Sequence, residues 1–484
     1  MKQYIKMKEI ISKYNNLSED SKATIWYTIN NILQKISPWL IMVILTHNVS
    51  LTEYGVYSVF LSWQQIFEII VTMRIYSSGY IAGLIQKNEQ EEKSYTSTIQ
   101  SLCFVFILIW IFIFLIFYSQ IIQLTKLSYL LVILIFMSFF STVSYEIWNS
   151  RQRVHCEYKK IIKGTFLFSF IGPVSSVLIT FLDFKDVIIM VIGIRVIIQL
   201  FMSVPFVLDN YACEIKWIES YAKEAVYYNL PLLPYYLSMI LLNNLDKLMI
   251  QNLIGYEDAA IYSVARSASM MMFIVSGAFN LSMQTWLFKN LNDNNNNDNT
   301  KFVNNNTLFI AILIILMIVM APEIILVLGG CKYIDAVLVM PPLIISVLIM
   351  FIYQQYVNIL FFYKNTRIIM LLSIISALIN AVLNYFFIPI YGYISAGYTA
   401  MISYLIIGLL FFKAMLFVCS KNNICYKNYF NIALQLKIVV ITIILGAVCT
   451  IFYNYIWQRY LLFILLGVYT MRKINITNLL KMKD

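Results

Sequence analysis

Runs of about twenty apolar residues recur along this chain, and they limit what it can fold into more than any other feature. "SLCFVFILIWIFIFLIFYS" (101–119) and "LFIAILIILMIVMAPEIILVLGG" (308–330) reach the length a helix needs to cross the hydrocarbon layer, about 20 residues. Counting such segments gives spans near 24–46, 57–76, 99–117, 129–148, 161–182, 187–207, 228–250, 260–283, 308–328, 336–360, 368–387, 392–412, 438–455 and 458–471, fourteen in all. The last is the shortest. At 61% hydrophobic and 12% charged, the chain is far more apolar than a soluble domain, which is about 45–50% apolar and roughly 25% charged. The sequence therefore predicts an all-α, multi-pass membrane protein. The first 20 residues are basic and polar, without an apolar core or a small-residue cleavage site, so a cleaved signal peptide is not expected.

Charge placement orients the spans, because short cytoplasmic loops collect lysine and arginine. With the N-terminus inside, 27 of these residues fall on the cytoplasmic side, counting Arg74 at the inner end of span 2, and only Lys126, Lys185, Lys332 and Arg459 lie outside. Both termini are then cytoplasmic and the number of spans is even. The net charge of +11 is spread among loops rather than gathered on one face, so no nucleic-acid partner is expected. Seven cysteines without a CxxC pair, and only two histidines, point to no metal site and no disulfide scaffold. The tract "KNLNDNNNNDNTKFVNNN" (289–306) reads as a flexible solvated linker.

A short phrase is written twice. "LTEYGVYSVFLSWQ" (51–64) and "YEDAAIYSVARSAS" (256–269) align at an offset of 205, matching Glu53 to Asp258, Gly55 to Ala260 and Tyr57-Ser58-Val59 to Tyr262-Ser263-Val264. Each copy covers an outer turn and the start of the next inward helix. Six spans separate them, so the copies run in the same direction, as in transporters built from two parallel halves with a site at their interface. This gives a division into a cytoplasmic arm (1–21), a first six-helix lobe (22–208), a linker (209–227), a second six-helix lobe (228–416), and two further helices with a tail (417–484). Tyr57 and Tyr262 are expected to pack at helix starts near the outer interface, where aromatics are favoured.

Charge inside a membrane helix costs about 2.5 to 3.5 kcal/mol on insertion scales, so such residues usually face an aqueous cavity or a partner. Lys35, Arg74, Lys247 and Arg266 all belong to spans 1, 2, 7 and 8, and Arg195 lies in span 6. Such cations would attract an anion, and arginine's planar fork suits phosphate oxygens. Each has a simpler reading: Arg74 and Lys247 could snorkel, Lys247 could pair with Asp246, and Arg195 could pair with a neighbouring acid. Glu68 and Glu323 read as internal partners. In span 11, Asn380 and Asn384 share a helix face one turn apart, and Pro389 and Gly392 are expected to break that helix into a tight turn. With Asp246 these amides could hold a sodium ion or relay a proton, or they could bridge helices as buried amides often do.

The phrases "LTEYGVYSVFLS", "LNNLDKLMIQNLIGYEDAAIYSVARSAS" and "NAVLNYFFIPIYGYISAGYTA" resemble the Wzx-type polysaccharide flippases, in the superfamily that also holds the lipid II flippases and the MATE drug exporters. The resemblance covers spans 1 to 12. It implies about 14 transmembrane helices as two six-helix pseudo-symmetric halves plus two C-terminal helices. It also implies transfer of an undecaprenyl-pyrophosphate-linked oligosaccharide from the cytoplasmic to the periplasmic leaflet of a bacterial inner membrane, for O-antigen or capsule. The partners implied are membrane lipids, a polysaccharide polymerase and a chain-length regulator. No cofactor is expected beyond a Na+ or H+ coupling ion, and no catalysis. Lys35, Arg74 and Arg266, with Arg195 and Lys247, would line a cationic central cavity. Asp246, Asn380, Asn384 and, more weakly, Thr399 correspond by position to the sodium site of related flippases. Two departures stand out: Ala260 replaces the usual glycine, and span 11 has no carboxylate.

A drug or organic-cation exporter of the same architecture would prefer acids in its cavity, and the spans here carry more cations. An oligosaccharide polymerase would require a large external loop, and none exceeds about ten residues. The cavity reading further implies that Arg266→Ala impairs export more than Arg459→Ala.

Overall fold

The computed structural model describes residues 19–182, 184–211, 215–292, 300–461 and 464–465. The arm up to residue 18, most of the fourteenth expected span and the tail beyond it lie outside the described residues, as does the Lys35 side chain. Sixteen helices carry the fold: α1 (Glu19–Asn48), α2 (Leu51–Thr72), α3 (Ser78–Ile85), α4 (Glu89–Ile116), α5 (Tyr118–Thr125), α6 (Tyr129–Val154), α7 (Tyr158–Phe181), α8 (Val187–Tyr211), α9 (Glu219–Leu253), α10 (Tyr256–Asn292), α11 (Thr300–Val319), α12 (Ala321–Gly329), α13 (Met340–Phe362), α14 (Thr366–Tyr391), α15 (Tyr393–Lys421) and α16 (Ile432–Asn454). Among the described residues, 11 of them are long and apolar enough to cross a membrane, and they correspond to the third to thirteenth expected spans. The first two expected spans fall on α1 and α2, which are helical but more polar. Among the described residues, the apolar stretch of α1 is Ile36–Asn48, and α2 carries Ser58, Ser62, Gln64, Gln65 and Glu68.

Several expected boundaries move for identifiable reasons. α2 stops at Thr72, and residues 73–77 turn, with Met73 and Arg74 at φ 50° and 46°. Arg74 therefore sits in a left-handed turn after the helix instead of inside it. α7 passes through a π turn at Phe166–Ile171 just before Pro173, whose missing N–H leaves the carbonyl of Ser169 without its helical partner. The ninth expected span is divided into α11 and α12 ahead of Pro322. By contrast, Pro389 stays inside α14, and Gly392 alone, at φ 71°, makes the turn into α15. The Asn-rich tract is helical where it is described: α10 runs to Asn292 and α11 begins at Thr300, with Asn306 buried.

The chain divides into two compact units: Met1–Ser50 with Phe60–Leu237, and Leu51–Val59 with Ser238–Asp484. In the first, Tyr145 stacks on Phe168 at 4.5 Å and Trp148 meets Phe206 at 4.6 Å, an aromatic core joining α6, α7 and α8. Buried amides tie α4, α6 and α8 together: Asn210 donates to Gln100 Oε1 (3.0 Å), and Gln100 donates to Ser144 Oγ (2.8 Å). Such bonds hold helices together where lipid removes the hydrophobic drive between them. In the second unit α13 is the central helix, buried over 89% of its apolar window, as expected for a helix apolar all round.

The second unit also contains the start of the first copy of the duplicated phrase, Leu51–Val59, and the whole of the second, and they touch. Ser263 Oγ donates to Ser58 Oγ at 3.1 Å, and Thr52 donates to Glu257 Oε1 at 2.8 Å. Each pair is 205 residues apart, the offset of the duplication itself, so each residue meets its own counterpart. Equivalents face one another only beside a two-fold axis, and a local one passes between these segments. Gly55 makes the approach possible, since a Cβ there would fall on the Tyr256 carbonyl oxygen.

Candidate functional site

Two helical hairpins of the second unit bring the polar residues together. α9 reverses into α10 near Gly255, returning Tyr262 to the level of Asp246. α14 reverses into α15 at Gly392, returning Thr399 to the level of Asn384. Asp246 is only 1% exposed, and both carboxylate oxygens are occupied: Tyr262 Oη donates to Oδ2 and Asn384 Nδ2 donates to Oδ1, each at 2.6 Å. Asn384 Nδ2 also approaches Asn380 Oδ1 (3.3 Å), and Thr399 Oγ1 donates to Asn384 Oδ1. Asp246, Asn380, Asn384 and Thr399, chosen from sequence, thus form one buried network.

Tyr262, expected to pack near a helix start, is 1% exposed in the second turn of α10 and belongs to this network as well. The signal that could have found it is its spacing: Tyr262 and Arg266 are four residues apart and share a helix face, so an inward Arg266 carries Tyr262 inward with it. Asn243 was missed as well. One turn before Asp246, its Oδ1 accepts from Arg266 Nη2 at 3.2 Å.

Two of the expected cations flank the network. Half-buried Arg266 lies within electrostatic reach of Asp246 and Tyr262. It lines a small cavity with Ser269, Ser346 and Tyr404, about 10 Å³, room for roughly one water. Its Nε is buried without a hydrogen-bond partner. Lys247 does not pair with Asp246; neighbouring residues on a helix do not face each other, and Lys247 Nζ donates to the Ser58 carbonyl at 3.2 Å. With one acid and two cations, this region is net positive.

The remaining cations lie in the first unit. Arg74 caps the Tyr236 ring at 5.4 Å, beside Glu68, which accepts from Tyr76 Oη. Arg195 is half-buried on α8, and Lys35 lies on α1. Arg459, read from sequence as an external loop residue, is 3% exposed and bonds Glu323 through both nitrogens of its fork, at 2.7 and 3.2 Å. It is a buried structural cation, which makes it a poor reference for Arg266.

The donor set fits a small hard cation. It consists of oxygen and amide groups, with one carboxylate to balance the charge. Turning the Asn384 amide over would set its oxygen against the oxygens of Asp246 and Asn380. Three acceptors facing one another are held only by a cation or by protonation of the acid. Among the described residues no three His, Cys, Asp or Glu side chains gather, so a transition-metal site has no such basis there.

Residues 21–288 match the family model described as polysaccharide biosynthesis protein. No curated protein matches the chain. Among solved structures, the fold is similar to the lipid II flippase MurJ in an inward closed conformation, with a TM-score of 0.65 and 18% identity over 92% of this chain and 97% of that one. It is also similar to an inward-facing multidrug resistance MATE transporter of the MOP superfamily, with a TM-score of 0.61 and 11% identity over 82% and 98%. A MOP superfamily transporter from Pyrococcus furiosus matches at 0.50, with 13% identity over 82% and 93%. The architecture is therefore that of the MOP transporters, all-helical and multi-pass, and with more than half its length matched the chain belongs to the polysaccharide biosynthesis protein family.

Proposed function

We propose that this chain is a flippase that moves undecaprenyl-pyrophosphate-linked oligosaccharide repeat units from the cytoplasmic to the periplasmic leaflet of a bacterial inner membrane. It has both termini in the cytoplasm and works by alternating access. In this reading the product feeds a polymerase and a chain-length regulator that build a surface polysaccharide such as O-antigen or capsule. Arg266 and Lys247, with Lys35, Arg74 and Arg195, attract the pyrophosphate. The Asp246 network takes up Na+ or H+ in step with transport. The observation that carries the reading is the placement of Lys247 and Arg266 beside that network in a chain of the polysaccharide biosynthesis family. Arginine's planar donor fork suits phosphate oxygens, and a buried carboxylate held by amides and hydroxyls suits a coupling ion.

Deleting the gene and following the lipid-linked oligosaccharide tests this. Complete repeat units stranded on the cytoplasmic leaflet, with no surface polymer, are expected; normal surface polymer overturns it. A drug exporter is the second reading, favoured by the buried acid Asp246 and the likeness to the MATE transporter fold. It predicts intact polymer and new sensitivity to organic cations.

A further inference from the structure

Lys247 joins the Asp246 network to the seam where the two copies of the duplicated phrase meet. Neighbouring residues on two helices divide the work. On α9, Asp246 accepts from Tyr262 and Asn384, while Lys247 Nζ donates to the Ser58 carbonyl at 3.2 Å. On α10, Tyr262 donates to Asp246, while Ser263 Oγ donates to Ser58 Oγ at 3.1 Å. Ser58 is thus gripped from both helices, and it and Ser263 are each 3% exposed. Its hydroxyl turns back to the carbonyl of Gly55 at 2.9 Å, the glycine that lets the copies come close.

The hold of Lys247 on Ser58 is easily exchanged. Ser58 lies inside α2, so one lone pair of its carbonyl belongs to the helix ladder and Lys247 takes the other. Letting go leaves that carbonyl bonded. The acceptor is neutral, whereas a phosphate oxygen is anionic and makes the stronger bond to an ammonium. Arg266 lies within electrostatic reach of Lys247, and two like charges disfavour each other until an anion joins them. Asp246 does not play that part for Lys247, because both its oxygens are turned to Tyr262 and Asn384.

We propose that Lys247 is a latch through which the pyrophosphate of the substrate opens this seam: the anion draws Lys247 off the Ser58 carbonyl, and the two phrases part. The inference rests on the flippase reading for the identity of the anion and adds an order of events, head group first and seam second. A ligand shifts an equilibrium only by preferring one state, and here the preference arises because Lys247 is available to phosphate only once it has released Ser58. The seam is read in the purified full chain carrying Ser263→Cys, in detergent, as the rate of maleimide labelling at position 263, followed by peptide mass spectrometry. Farnesyl pyrophosphate is expected to speed labelling about tenfold, and farnesol to leave it unchanged. With Lys247→Met added, labelling is fast without ligand and farnesyl pyrophosphate changes it no further. Lys247→Gln, uncharged but polar, also loses the response, which keeps the test valid if the methionine variant fails to fold; Lys185→Gln, at an exposed cation elsewhere, retains it. A lysine that only stabilised the fold would give no response to pyrophosphate at all. Labelling that ignores farnesyl pyrophosphate, or a response that survives loss of the charge at position 247, overturns the latch. A responsive seam in a chain whose deletion leaves normal surface polymer sinks only the flippase reading, and stranded repeat units with an unresponsive seam sink only the latch.

Discussion

At the scale of single residues, Asp246 depends on what its neighbours donate. A carboxylate taken out of water needs hydrogen bonds or a cation to remain charged, and here Tyr262 and Asn384 supply the bonds. A hydrogen bond to a charged group contributes about 1.5 to 3 kcal/mol. Tyr262→Phe is therefore expected to lower export about tenfold at matched protein level, measured as surface polymer formed after induction. Unchanged export would remove Tyr262 from the site. Arg459 shows the contrasting case, a cation whose role is structural. Removing one partner of a buried ion pair costs about 3 to 5 kcal/mol, so Arg459→Ala should lower the thermal midpoint clearly, while Lys185→Ala, exposed, leaves it in place. A melting curve in detergent reads the difference, and equal midpoints would count against the pair.

At the scale of helices, backbone chemistry decided most departures from expectation. Apolar length located α4 to α16 well, because lipid demands it. It placed breaks poorly, because Pro173 and Pro322 interrupt helices whereas Pro389, one turn from its helix end, does not. Glycine is equally positional. A Cβ on Gly55 would collide with backbone of α10, whereas nothing lies within 4 Å of a Cβ on Gly277. Gly55→Ala is thus expected to destabilise by about 1 to 3 kcal/mol through overpacking. Gly277→Ala should be neutral or stabilise by about 0.4 to 1 kcal/mol. Comparing the two melting points checks this, and similar values would refute the close approach.

At the scale of the whole molecule, the duplicated phrase was legible as a repeat, and its direction followed from counting spans. That the copies would touch, counterpart to counterpart, was not legible, because sequence gives the offset but not the position of an axis. The Asp246 network was partly legible for a related reason: helical spacing groups Asn380 with Asn384, while the convergence of α9, α10, α14 and α15 is a tertiary fact. Transport by alternating access would require the phrases to part in each cycle. Ser58→Cys with Ser263→Cys, whose parent hydroxyls are 3.1 Å apart, should cross-link under oxidation and stop export until reduced. Export by the oxidised protein would mean that the phrases stay together.

That contact also has a consequence in time. The partner of Ser58 lies 205 residues further on, and at roughly 5 to 20 residues per second of synthesis about 10 to 40 seconds pass before it is made. Throughout that interval the start of α2, with its glycine and hydroxyls, has nothing of its own kind to close against. The half-made chain must be held by lipid or by the insertion machinery, and the seam between the copies is among the last parts of the protein to form.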